Sequence, residues 1–147
     1  MKRVTSDMPC ACAAARQVAR MLTQFYDSHL RPAGTEAPQF ALLMTLEKRG
    51  CCNQAALVER YALDKTTVSR NLRLLERNGW IQSSIGNDRR ERVFSLTAAG
   101  RKRLAIGKPG WKKAQSQLRA GMTDEQWDEM FRVFQTIAKS VASTRTL

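Results

Sequence analysis

Apolar residues recur every three or four positions along almost the whole chain, and the one stretch that breaks the pattern lies between Gly79 and Leu96. A three-to-four repeat belongs to helices, whereas side chains on a strand alternate with a period of two. The chain is therefore expected to be mainly helical with one short β insert. From Pro9 to Leu30, the residues Cys12, Ala15, Ala19, Leu22, Tyr26 and Leu30 form the stripe of a first helix that runs to about Arg31. Pro32 and Gly34 end it, and Thr35 offers an oxygen to cap a second helix carrying Phe40, Leu43, Met44 and Leu46 and stopping at Gly50. After a turn at Cys51, Cys52 and Asn53, a short third helix is expected from about Gln54 to Tyr61. Asp64 caps a fourth helix, whose inner stripe is Val68, Leu72 and Leu75 and whose end at Asn78 and Gly79 is a left-handed stop.

The interruption reads as a hairpin. Trp80 to Ile85 and Arg92 to Leu96 are rich in β-branched and aromatic residues and flank the polar run Gly86-Asn87-Asp88-Arg89-Arg90-Glu91. No other segment carries a β signal. Thr97 opens a helical stretch to about Ala120, with a kink or break expected where Gly107, Pro109 and Gly110 fall. Thr123 to Gln126 have capping-box spacing, and the last helix repeats Trp127, Met130, Phe131, Phe134, Ile137, Ala138 and Val141 at helical intervals. That stripe is too apolar for a solvated tail.

Charge narrows the function. The 147 residues hold 25 Lys plus Arg against 13 Asp plus Glu, a net charge of +12, with 43% hydrophobic residues. One domain with a real core is expected, and an excess of that size draws a chain toward polyanions, nucleic acid first. Without an apolar run of ~18 residues or a signal-type N-terminus, neither a membrane partner nor export is indicated, and the expectation is a cytoplasmic protein with thiol cysteines. There is no Gly-rich phosphate loop, no HExxH and no G-x-S-x-G, and a lone His29 leaves few relay schemes, so an enzyme is not expected.

Two short helices joined by a tight turn, the second polar on its outer face, followed by a basic-tipped hairpin, make the arrangement of a winged helix-turn-helix. On the fourth helix the inward stripe leaves Lys65, Thr66, Thr67, Ser69, Arg70, Asn71 and Arg73 on or near the outer face. Hydroxyls and Asn can bond base edges or phosphates, and Arg can fork onto guanine. In the hairpin, Arg89, Arg90 and Arg92 suit the negative potential of a minor groove, while Asp88 is expected to orient a neighbouring Arg. Arg101, Lys102 and Arg103 extend the cationic surface beyond the second strand.

The run Asp64-Lys65-Thr66-Thr67-Val68-Ser69-Arg70, then Leu75-Glu76-Arg77-Asn78-Gly79-Trp80-Ile81, the tip Asp88-Arg89-Arg90 and the closing Leu96-Thr97-Ala98-Ala99-Gly100 together resemble the MarR family of bacterial transcriptional regulators, from about Cys10 to Val141. The resemblance implies a mainly α fold: a winged helix-turn-helix over residues 35–97 with a two-stranded β wing, and a helical dimerisation region over 1–34 and 98–147, one intertwined domain. It implies a homodimer on double-stranded DNA at a pseudo-palindromic operator, repression as the mode of action, and release by a ligand or by oxidation. A nonspecific architectural nucleic-acid binder is the alternative, since phosphate contacts give affinity without sequence.

The signal is open. Cysteines come as two close pairs, Cys10 with Cys12 and Cys51 with Cys52, and buried or incidental thiols are one reading. Within the resembling family, the organic-hydroperoxide-sensing branch has a reactive Cys early in the first helix and a Tyr about four turns on; Cys12 and Tyr26 match that spacing, while Arg16 and Ala37 stand where further Tyr partners are expected. A third reading is a thiophilic metal or metalloid ion as effector, which soft thiolates favour; neither pair has the C-x2–4-C spacing usual for zinc. No cofactor is required by any of these readings. Small aromatic acids are the fourth, with Tyr26, His29 and Trp111 as candidate lining.

Overall fold

The computed structural model describes residues 10–61 and 63–144. The elements follow in the order α1 (Ala11–Leu30), a 3-10 turn (Arg31–Ala33), α2 (Ala37–Arg49), β1 (Cys51–Asn53), α3 (Gln54–Tyr61), α4 (Lys65–Arg77), β2 (Ile81–Ile85), β3 (Arg92–Leu96), α5 (Ala98–Ala120) and α6 (Asp124–Thr144). The chain divides into two compact units, Met1–Trp111 and Lys112–Leu147. No helix among the described residues is long and apolar enough to cross a membrane.

In the first unit the predicted stripes of α2, α3 and α4 converge on one core, whereas of the predicted α1 stripe only Leu30 is buried and Cys12, Ala15 and Ala19 are exposed. Leu30, Phe40, Leu43, Leu46, Leu57, Val68, Leu72, Leu75, Ile81, Phe94, Leu96 and Leu104 are all buried, and each such side chain contributes ~1.5–3 kcal/mol on leaving water. The cap of α2 differs from expectation. Thr35 is buried beside the helix start, and the first N–H groups are met elsewhere: Gln39 Oε1 accepts from Glu36 N at 3.4 Å, and Asp27 of α1 accepts from Ala37 N at 2.7 Å. The buried Asp27 carboxylate thereby ties the end of α1 to the start of α2.

The sheet has one strand more than the sequence pattern gives. Cys51-Cys52-Asn53, expected as a turn, pair antiparallel with Ser95, Phe94 and Val93, so the order is β1-β3-β2. A three-residue strand shows no periodicity of its own; its partner β3 defines it. Strands β2 and β3 form the expected hairpin, in register from Ile81 opposite Leu96 to Ile85 opposite Arg92.

Helix α5 is also unlike the expectation, running unbroken from Ala98 to Ala120 with Pro109 inside it. Its glycines serve packing. A Cβ on Gly100 would stand 1.8 Å from the Trp80 carbonyl oxygen, one on Gly107 2.7 Å from the Phe40 ring, and one on Gly110 2.3 Å from the His29 carbonyl oxygen. Thr97 starts the helix, accepting from Gly100 N at 3.0 Å while its hydroxyl donates to the Gly79 carbonyl oxygen at 2.6 Å.

In the second unit α6 opens with the expected capping box: Thr123 N donates to Gln126 Oε1 at 2.9 Å, and Gln126 N to Thr123 Oγ1 at 3.1 Å. Trp127, Phe131 and Phe134 stack edge to face along it, with ring centres 5.4 and 6.4 Å apart. None of its residues is buried, and Phe131, Phe134, Ile137 and Val141 are each about half exposed.

Candidate nucleic-acid interface

Helix α4 is built as the sequence predicts. Asp64 has extended backbone and accepts from Thr67 N at 2.8 Å and from the Thr67 hydroxyl at 2.5 Å, which holds its carboxyl below the usual carboxylate value. Val68, Leu72 and Leu75 point into the core, and Gly79, with φ of 72°, turns the chain out of the helix. The opposite face carries Lys65, Thr66, Arg70, Arg73 and Arg77, all exposed, with Ser69 half-buried between them. Together with Gln54 and Leu74 they line a depression of about 770 Å³ that has four cationic side chains and no carboxylate.

Two residues of the predicted reading set face other tasks. The Thr67 hydroxyl is committed to the Asp64 cap, and Asn71 donates to the Thr67 carbonyl oxygen at 3.2 Å. Lys65, Thr66, Ser69, Arg70 and Arg73 are the part of the set that the fold brings to one surface.

The wing places Asp88, Arg89 and Arg90 at its exposed tip. Asp88 binds main chain rather than a guanidinium: its carboxylate accepts from Arg90 N at 3.0 Å, and its carbonyl oxygen from Glu91 N at 2.9 Å. It shapes the turn that carries the two arginines. Arg92 points back instead, and its Nη2 donates to both Glu76 carboxylate oxygens, at 3.0 and 3.3 Å, and to Ser83 Oγ at 2.6 Å. Asn53, Glu59, Lys65, Asp88, Arg90 and Arg92 are among the residues lining a second depression of about 690 Å³ beside the wing.

Beyond β3 the three cations part company. Arg101 and Lys102 are exposed, but Arg103 turns inward: it donates to the Ala33 carbonyl oxygen at 2.5 Å, and its guanidinium carbon lies 4.9 Å from the centre of the Trp80 ring. It is a strut of the fold and no part of the outer cationic surface. Sequence reasoning passed over Glu76 and Asn53, which hold the wing from beneath; their partners lie far along the chain, and no local spacing marks them.

The thiols are distributed unevenly. Cys10, Cys12 and Cys51 are exposed, and Cys52 is buried in β1. Cys12 and Tyr26 lie on one uninterrupted helix, about 21 Å apart at 1.5 Å per residue, so the phenol of the same subunit does not reach the Cys12 sulfur. Partial burial raises the Tyr26 phenol above its ordinary pKa. Among the described residues no three His, Cys, Asp or Glu side chains gather closely enough to hold a metal ion. Trp111 stacks on Phe40 at 6.4 Å, and His29 Nδ1 lies 2.9 Å from the Phe25 carbonyl oxygen.

Residues 36–91, from the start of α2 through the wing tip, match the MarR family model. The M. tuberculosis transcriptional regulator MosR, in a crystal structure with DNA, is 32% identical, covers 92% of this chain and 98% of its own, and superposes with a TM-score of 0.83. The chain belongs to the MarR family. It is a DNA-binding transcriptional regulator with a winged helix, and its relatives are regulators rather than enzymes. One is the uncharacterized HTH-type transcriptional regulator YwoH of Bacillus subtilis (strain 168), 29% identical over 121 residues, which are 80% of this chain and 88% of YwoH. The MepR–DNA complex of S. aureus shares the fold at 20% identity, covering 90% of this chain and 99% of MepR with a TM-score of 0.77.

Proposed function

We propose that this MarR-family regulator works in the cytoplasm as a homodimeric repressor on a pseudo-palindromic operator. Each subunit lays α4 in the major groove and the wing tip in the neighbouring minor groove. The observation that carries the reading is the depression on α4, where Lys65, Arg70, Arg73 and Arg77 converge without a carboxylate among them. Such a surface lowers its energy against phosphates at any sequence, while Thr66, Ser69 and Arg70 add the side chains that read base edges. Homodimerisation rests on α6. Phe131, Phe134, Ile137 and Val141 form a half-exposed apolar face along a helix with no buried residue, and a second copy of the same helix is the natural cover for it. Two recognition helices related by a two-fold axis then meet half-sites about 34 Å apart.

Release by thiol chemistry is the finer part of the reading. It is supported by the exposure of Cys10 and Cys12 at the start of α1, where an oxidant or a thiophilic ion can reach both sulfurs. Oxidants, thiophilic metal or metalloid ions and small aromatic acids are the effector classes to compare. The reading is tested by letting the protein select duplexes from a randomised library and footprinting it on what it enriches. Protection of one inverted repeat by two chains supports it. Uniform protection of every duplex supports an architectural binder instead.

A further inference from the structure

An acid on the last turn of a DNA-reading helix needs a reason. Glu76 sits one residue before the end of α4, where the helix dipole disfavours an anion, on a helix whose other charged residues, Lys65, Arg70, Arg73 and Arg77, are all cationic. A carboxylate on such a helix repels phosphates rather than binding them. Its contacts supply the reason. Arg92 Nη2 donates to both Glu76 oxygens and to Ser83 Oγ, and the Ser83 hydroxyl donates to Glu76 Oε1 at 2.7 Å, closing a triangle between helix and wing. Ser83 lies opposite Phe94 in the hairpin and Arg92 opposite Ile85, so both side chains stand on the sheet face that looks toward α4. The guanidinium carbon lies 5.4 Å from the centre of the Phe94 ring, which fixes it further. The neighbouring residue is tied down too: Glu91 accepts from Asn53 Nδ2, and Asn53 Oδ1 accepts from Ala56 N at 2.8 Å at the start of α3. No acidic side chain lies within ion-pair distance of Arg89 or Arg90 among the described residues.

We propose that Glu76 is a specificity-determining residue, holding Arg92 against the recognition helix so that the wing keeps one pitch and one guanidinium is withheld from the phosphate backbone. A free cation on this surface strengthens binding to every sequence alike. Sequestering Arg92 therefore lowers the affinity for random DNA, and the fixed pitch keeps Arg89 and Arg90 aligned with α4 for the operator. On the operator the expectation departs from simple charge counting, in which deleting a carboxylate tightens binding to all DNA alike. The inference rests on the proposed placement of α4 and wing on duplex DNA.

The test compares parent, Glu76→Gln, Ser83→Ala and the double variant Glu76→Gln/Arg92→Gln on a library-selected operator and on a random duplex across a salt series. For Glu76→Gln the expectation is a random-DNA affinity about two- to fivefold higher, the scale of one exposed charge pair. The salt slope on random DNA should steepen by about 0.9 per phosphate newly contacted. Operator affinity should not rise, so the operator-to-random ratio falls. Ser83→Ala, which cuts the triangle with no change in charge, lowers the ratio in the same direction, and the double variant loses the gain on random DNA. A parent-like ratio and slope in both Glu76→Gln and Ser83→Ala overturns the proposal. So does a gain that survives in the double variant, because it then comes from the lost carboxylate itself. A parent protein that enriches no sequence at all overturns the placement beneath the proposal, and the proposal with it.

Discussion

Arg103 donates a hydrogen bond at 2.5 Å to the main-chain oxygen of Ala33, seventy residues earlier in the chain. The same guanidinium covers the Trp80 ring at 4.9 Å, so one side chain of α5 joins the turn after α1 to the root of the wing. A Cβ on Gly34 would stand 2.9 Å from Arg103 Nη1, and Gly34 has φ of 74°, so glycine there serves both the turn and the strut. Arg103→Met keeps most of the stem and removes the donor. The expected cost is ~1–3 kcal/mol, that of stranding a part-buried carbonyl and losing the ring contact. The urea midpoint measures it, and a parent-like midpoint shows that the strut carries no stability.

Gly100→Ala tests how closely α5 approaches the wing. The added methyl would stand 1.8 Å from the Trp80 carbonyl oxygen, and main chain cannot swing aside as a flexible side chain can. A loss of about 1–3 kcal/mol or more is expected, again from urea unfolding. Unchanged stability would mean that this contact relaxes freely.

Acid acts on the recognition helix through Asp64. Bonds from the Thr67 hydroxyl and Thr67 N hold its carboxyl below the ordinary 3.8. A group whose folded pKa is lowered stabilises the fold fully above its unfolded value, and that contribution fades as pH falls through the folded one. Asp64→Asn keeps an accepting oxygen and removes the titration. Between about pH 5 and about pH 3 the parent should lose stability relative to Asp64→Asn; parallel curves from pH-dependent urea unfolding would show that the cap does not titrate.

Much of this architecture is legible in the residues themselves. The stripe of Val68, Leu72 and Leu75, the Asp64 cap and the Gly79 stop define α4 locally, and the structure keeps all three. The hairpin is legible because two β-rich runs flank one polar turn. Strand β1 is not, since Cys51, Cys52 and Asn53 become extended only by pairing with β3, some forty residues on. The continuity of α5 through Pro109 has the same cause: Gly107 and Gly110 read as breakers in isolation, whereas they admit Phe40 and the His29 carbonyl to the helix surface. For the site, residue type announced a cationic surface but could not say which cations the fold uses internally. Arg70 and Arg90 face outward, while Arg92 and Arg103 are held by Glu76 and Ala33.

The thiol reading has its own test in Cys12→Ser. If organic hydroperoxide or arsenite releases the parent from its operator, the serine variant should stay bound under the same dose while binding DNA normally without effector. Gel-shift titration with each agent, and with a small aromatic acid beside them, reads the result. A variant that responds to every effector as the parent does rules out Cys12 as the sensor.

Arg70→Ala decides whether α4 reads sequence rather than charge alone. Arg70 is exposed in the middle of the cationic depression, on the second turn of the helix. The measurement is the dissociation constant of parent and variant on the selected operator and on a random duplex of equal length, at one salt concentration. The expected result is a loss of ~1–3 kcal/mol of discrimination, about 5- to 150-fold, borne by the operator while random DNA changes little. An equal loss on both duplexes would contradict it.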